Sequence, residues 1–386
     1  MVRKFAIVAV AAVLAVGSAS QALSNVLADG QPALAVSLSL FAAPAFEQRA
    51  VAQVTADPDS NVVDFSAAIP AAQHAVGREL LATEALAVLA MGTQSAAERD
   101  AILDAALAAS RRGRVLNSAA LIAAVERRDD DQLLASLNRT LLLYPSQEEA
   151  MIPLLVDQLS NETLVLAFVQ ILNTGPEWGE QFFRQAAARD ELVGNLSRVR
   201  LDMSPDASVE LEADRAILRA MARTQRLDEA ATLFARIRSL EAVPVSSGAL
   251  GWEDVYTPFH WEFYEQPGAF ARPTTDAEAI LVSVRSGYGG PLGQRLIRLG
   301  EGTTVFEVEH SLDAGAAGRA RLTLACPGGE MAWSDALGPS PTIMRVDQNV
   351  GCEFAWLGLT ARAPSGSPAI SGEILSISVR EPGRQR

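Results

Sequence analysis

The feature that most constrains this chain is a change of period part-way along it. From about Ser66 to Leu240 the apolar residues recur as one face of a helix does: Ile152, Leu155, Val156 and Leu159 fall at i, i+3, i+4 and i+7, and so do Ala230, Leu233, Phe234 and Ile237. Beyond Gly251 they alternate in twos, as half-buried strands do. The helical period stops between Val243-Pro244 and Gly251, where Ser, Gly and Pro accumulate, and this is the expected joint. The arrangement predicts a multidomain chain, α then β, with a helical domain over 28–242 and an antiparallel sheet domain over 248–382.

Within the helical stretch, starts and stops are written locally. Ser95-Ala-Ala-Glu98 and Ser146-Gln-Glu-Glu149 have the spacing of a capping box. Breaks recur at Arg112-Gly113, Asp129-Asp130-Asp131, Tyr144-Pro145, Asn173 to Pro176 and Ser204-Pro205. Short helical hairpins stacked side by side are the natural product of such spacing. A plain helical bundle has the same periodicity and is the alternative.

The segment Arg215 to Ile237, RAILRAMARTQRLDEAATLFARI, resembles a tetratricopeptide repeat in its second half. Leu227-Asp228-Glu229-Ala230 matches the entry to the second helix, and Phe234 stands where the repeat carries a bulky aromatic. A weaker copy runs from Arg114 to Pro145 and departs from the pattern at Leu133, where a small residue is usual. With the apolar N-terminus, the Arg111-Arg112 pair and Pro176-Glu177-Trp178, residues 1–240 resemble a group of divergent, membrane-anchored bacterial tetratricopeptide-like proteins. The resemblance implies a superhelical scaffold with a concave partner surface and no conserved chemistry, in cell-envelope or polysaccharide settings.

The last third alternates. Ile280, Val282 and Val284 share one face; Phe306 and Val308 share another; Leu322, Leu324 and Cys326, then Cys352, Phe354 and Trp356, then Leu375, Ile377 and Val379 follow the same rule. Phe259, Trp261 and Phe263 are expected inward, with His260, Glu262 and Tyr264 outward. Seven or eight strands in this stretch predict a β-sandwich or jelly roll. Their order resembles the galactose-binding-type sandwich of many carbohydrate-binding modules, a likeness of fold that assigns no ligand residue.

The N-terminus carries Arg3 and Lys4 ahead of an apolar run from Phe5 to Val16, extended by small residues to Leu23. With no further cation until Arg49, the basic end is expected in the cytoplasm and the rest exported. Residues 1–27 then form an uncleaved inner-membrane anchor or a cleaved signal, with a buried soluble helix as the remaining alternative. The bulk of the chain is expected in the periplasm, held by a single span or released.

Chemistry is sparse. There are 46 acidic and 32 basic residues, a formal net charge of −14, which argues against nucleic acid as a partner. Three His and two Cys are too few for most metal-ligand sets. No GxSxG, P-loop, GxGxxG or HExxH occurs, so no catalytic residue, metal or cofactor is expected. Cys326 and Cys352 are either a disulfide permitted by an oxidising compartment or two buried thiols. His260, Glu262 and Tyr264 are the candidate glycan contacts, weighed against a merely solvated face. His310 is expected as a hydrogen-bonded residue at the core edge and His74 as structural. The expectation is a non-catalytic envelope scaffold that binds envelope or polysaccharide-assembly proteins, with glycan as a further partner. The alternatives are a periplasmic carbohydrate-active enzyme, needing two carboxylates across one glycosidic bond, and a purely structural envelope protein.

Overall fold

The computed structural model describes residues 18–38, 43–56, 63–300, 302–329, 331–346 and 351–380. Of the expected anchor, residues 1–17 lie outside them. Residues 18–27 are helical, and Ser24 Oγ, fully buried, donates to the carbonyl of Ala35 at 2.8 Å. Among the described residues no single helix is long and apolar enough to cross a membrane. By compactness the chain divides between Met151 and Ile152.

The N-terminal unit is helical: α1 (Pro32–Leu38), α2 (Ala43–Ala52), α3 (Ile69–Val76), α4 (Thr83–Gly92), α5 (Ala96–Ala109), α6 (Arg114–Arg127) and α7 (Asp130–Leu143), with a two-residue ribbon of β1 (Thr55–Ala56) and β2 (Val63–Asp64). Each helix packs on the next, and α2, α4 and α6 also stack on one another. Alanine makes this approach close: Ala35, Ala45, Ala50, Ala72 and Ala85 are fully buried. Ser95 caps α5, accepting from Glu98 N. By contrast, Ser146 lies inside a 3-10 turn opened by Pro145 and caps nothing. Neither α4 nor α6 has a side-chain cap of its own. Glu47 supplies one to α4, accepting from Glu84 N at 2.7 Å, and Glu84 in turn accepts from Leu116 N at 3.1 Å in α6. Each helix thus caps the equivalent helix of the following hairpin, replacing orphan amide partners that sequence proximity does not provide.

In the C-terminal unit, α8 (Glu148–Gln158, which crosses the division) and α9 (Val165–Leu172) meet at a bend of 107°, while α10 (Gly179–Ala187) and α11 (Val193–Asp202), and α12 (Leu211–Arg223) and α13 (Leu227–Ile237), pair as hairpins. Helix α10 stacks on α12, and α11 on both α9 and α13. Side-chain bonds between neighbouring hairpins span 32 to 36 residues, as in Arg189 to Asp157, Asn195 to the Leu159 carbonyl, and Ser197 to Glu229. A recurring separation of this size is the register of a helical repeat. Trp178, Phe168 and Phe182 fill the layer between hairpins, the two Phe rings stacked at 5.2 Å. Arg200 and Asp214 are both buried and paired through two bonds of 2.7 and 3.1 Å, the arrangement that lets an interior ion pair satisfy its own groups.

The same unit continues into two antiparallel sheets sharing one core. A five-stranded sheet has the order β11 (Met331–Ala336), β10 (Ala320–Ala325), β13 (Phe354–Arg362), β8 (Gly289–Arg298), β4 (Glu262–Phe263). A seven-stranded sheet runs β12 (Thr342–Val346), β9 (Thr304–His310), β14 (Ile370–Arg380), β7 (Ile280–Val284), β6 (Ala269–Pro273), β5 (Glu265–Gln266), with β3 (Gly248–Ala249) beside β14. The inward faces of β7, β9 and β10 are those the alternation predicts: Val282, Phe306, Val308, Leu322 and Leu324 are buried. Two strands differ. In β13 the core residues are Ala355, Leu357, Leu359 and Ala361, so Phe354 and Trp356 face the other way. In β14 a bulge between Ile374 and Ser376 turns Leu375 outward, 43% exposed, while Ile374, Ile377 and Val379 are buried.

Candidate functional site

The site builds on one short stretch. Tyr256 to Tyr264 holds five aromatic rings and a histidine in nine residues, more than one face of a narrow sheet accommodates. Residues 255–260 form turns, not the start of a strand, and only Glu262–Phe263 is extended and paired, with β8. The turn wraps the Arg295 side chain, which donates to the carbonyls of Gly251 and Phe259 and lies over the Trp261 ring. Burial lowers Arg295 to about 10. Trp261 enters the sandwich core, fully buried.

Phe259 and His260, expected inward and outward respectively, both face α13. Phe234 stacks on Phe259 at 4.7 Å and meets His260 edge-on at 5.5 Å, with Tyr256 at 6.2 Å. His260 is therefore buried, and its Nδ1 accepts from Tyr256 N at 3.3 Å. Burial is the main reason its pKa falls to about 4, so the imidazole is neutral and its ring edge is spent within the protein. The expectation that it lies on an open face with Glu262 and Tyr264 is corrected: the turn rotates it onto the helical side.

Glu262 and Tyr264 do come together. The Tyr264 hydroxyl donates to Glu262 Oε2 at 3.0 Å, Gln294 Nε2 donates to the same oxygen at 3.3 Å, and Arg219 Nη2 of α12 lies 3.9 Å from Oε1. Burial, then the neighbouring carboxylate, pushes the Tyr264 phenol well above its usual value. Arg219 Nε also donates to Thr257 Oγ1 at 2.7 Å. This closed set of donors and acceptors is half-buried, and any ligand must compete with bonds already made.

A cavity of about 420 Å³ lies between α13 and the five-stranded sheet, lined by Arg236, Leu240, Val243, Arg298, Glu353 and Phe354 among others. Three of its charged groups are engaged: Arg298 pairs with Glu353 at 2.6 Å, and Arg236 donates to the carbonyls of Leu201 and Met203. The rotation of Phe354 out of the core places its ring on this wall.

Elsewhere, Cys326 and Cys352 are joined, their Cα atoms 5.9 Å apart, at adjacent ends of β10 and β13. His310 is buried, its Nε2 3.1 Å from the Gly338 carbonyl and its Nδ1 accepting from Leu312 N. His74 rests exposed against Phe46, its ring 5.4 Å away. Among the described residues no group of three His, Cys, Asp or Glu is placed to hold a metal ion.

No protein-family model matches the chain, and no curated protein matches it. Among solved structures it is similar to a chain in a crystal structure of accessory secretory protein 1, 2 and 3 in Streptococcus pneumoniae. That match has 10% identity, covers 34% of this chain and 94% of the other, and has a TM-score of 0.24, too low to carry an argument about fold or function.

Proposed function

We propose that the protein is a non-catalytic scaffold of the bacterial cell envelope, with its helical array binding protein components of envelope or polysaccharide assembly. The observation that carries this reading is the stacking of hairpins at a recurring spacing, with α2 on α4 on α6 in one unit and α10 on α12 in the other. Such arrays present long, regular surfaces built from repeated helices, and they serve association, not bond-breaking. The spacing supports a divergent tetratricopeptide-like array; the two sheets are read as a galactose-binding-type sandwich. In this reading residues 1–27 hold the chain in the inner membrane, the bulk is periplasmic, and glycan contact is secondary and confined to Glu262 and Tyr264.

Two measurements test it. A periplasm-only reporter fused after Arg386 should be active, and carbonate extraction should leave the intact chain with membranes; a soluble form beginning near Gln21 would remove the anchor. Photocrosslinkers placed on exposed array positions such as Leu142 and Leu166 should trap defined envelope proteins. Crosslinks that form only from the sandwich, or turnover of an envelope glycan abolished by Glu262→Gln, would overturn the scaffold reading.

A further inference from the structure

The loop joining α5 to α6 is held unusually firmly. Three successive carbonyls accept side-chain hydrogen bonds: Arg111 and Gly113 from Asn117 Nδ2 at 2.9 and 2.7 Å, and Arg112 from the Tyr144 hydroxyl. Ser110 Oγ also accepts from Arg112 N at 3.4 Å. Asn117 itself is buried, 1% exposed. The backbone is thus fixed from both α6 and the end of α7.

The side chains on that loop are in the opposite condition. Arg111, Arg112 and Arg114 are exposed, and Arg114 lies over the Tyr144 ring at 5.4 Å. Arg139 of α7 lies close enough to Arg111 for the two charges to oppose each other; burial and that repulsion lower its pKa. Its Nη1 is buried without a hydrogen-bond partner. Among the described residues none of these four arginines forms an ion pair, although the chain has fourteen more acidic than basic residues. A carboxylate does lie at this end of α6, but Glu84 is turned to Leu116 N. Like charges gathered on a rigid loop and left uncompensated cost stability, a cost that an incoming anion offsets.

We propose that Arg111, Arg112 and Arg114, backed by Arg139, form a docking surface for a carboxylate-rich segment of a protein partner. The guanidinium fork matches a carboxylate through two parallel bonds. Sugar recognition would call on a free aromatic face, and the one ring here is already covered by Arg114, with its hydroxyl bound to Arg112. The proposal rests on the scaffold reading only for its setting, since the surface stands on the N-terminal unit's own geometry.

The test uses the full chain and a fluorescent oligo-glutamate peptide followed by anisotropy, with the oligo-glutamine peptide as its neutral match. The glutamate peptide should bind and the glutamine peptide should not, with affinity falling steeply as salt rises. Arg111→Glu with Arg112→Glu should weaken binding more than about tenfold, and Arg111→Gln with Arg112→Gln by several-fold, both with unchanged helicity. Arg198→Glu, which removes an exposed cation paired to Glu162 in the other unit, should change binding less than about twofold. The proposal fails if the glutamate peptide does not bind at low salt, or if Arg198→Glu costs as much as the double reversal. It also fails if phosphatidylglycerol vesicles bind in preference to the peptide and lose that binding on the same reversal. Failure here with crosslinks still forming elsewhere on the array would leave the scaffold reading standing.

Discussion

Acidification should destabilise the C-terminal unit through one residue, His260. Its pKa is 6.5 when solvated and about 4 in the folded protein, because it is buried against Phe234 and Tyr256. Glu253 and Asp254 nearby pull it up, and Arg295 and Arg238 pull it down; burial outweighs them all. Above pH 6.5 the imidazole is neutral in both states and contributes no pH dependence. Between pH 6.5 and about 4 the unfolded chain takes up a proton that the folded chain refuses, so stability falls with pH at up to about 1.4 kcal/mol per unit. Below about 4 both states are protonated and the term is flat. The total is about 3 kcal/mol, a large part of the roughly 5–15 kcal/mol that holds a domain together. The assay is convenient, because all five tryptophans lie beyond Ile152 and their fluorescence in urea reports this unit. Wild type should lose stability across that window relative to His260→Gln, while carboxylates elsewhere act equally on both. If the two stability profiles run parallel, or if His260 titrates near 6.5 by NMR, the packing of the imidazole onto α13 is refuted.

Three further outcomes follow from the same geometry. Phe234→Ala should cost the C-terminal unit about 3–4 kcal/mol in urea unfolding, the loss expected for a buried Phe, and should raise the His260 midpoint toward 6.5 as water reaches the ring. Cys326→Ser with Cys352→Ser should lower stability by about 3 kcal/mol, from the loop entropy of a 26-residue closure; reduction of the wild type should do the same. Glu47→Ala should cost the N-terminal unit only about 1 kcal/mol in a circular-dichroism melt, since losing the cap on α4 is offset by relieving a carboxylate whose pKa burial has raised.

What could be read from the sequence was what local chemistry decides. The helical period, the cap at Ser95 and the inward faces of β7 and β9 depend on neighbours within a few residues, and they lie where the pattern puts them. Leu375 did not, because a bulge is one inserted residue and leaves the alternation looking intact on either side. The two cysteines were legible as alternatives only: their meeting depends on β10 and β13 being neighbours, which spacing does not reveal. His260, Phe259 and Phe354 failed for a shared reason. Each was assigned by alternation to one of two faces, core or solvent, when the five-stranded sheet has a third surface against it.

That third surface explains the aromatic excess between Tyr256 and Tyr264. A stacked array always leaves the apolar side of its last hairpin without a following repeat, and an uncovered face of that kind must be capped. In this chain Phe234 of α13 is 7% exposed because Phe259, His260 and Tyr256 supply the cover that another helix would otherwise give. Arg215 and Arg219 of α12 extend the joint to the Asp254 carbonyl and Thr257. The linker 238–247 therefore separates two textures without separating two independent bodies. Of the three candidate contacts, His260 belongs to the seam that closes the array, while Glu262 and Tyr264 are bonded to each other outside the contact with Phe234.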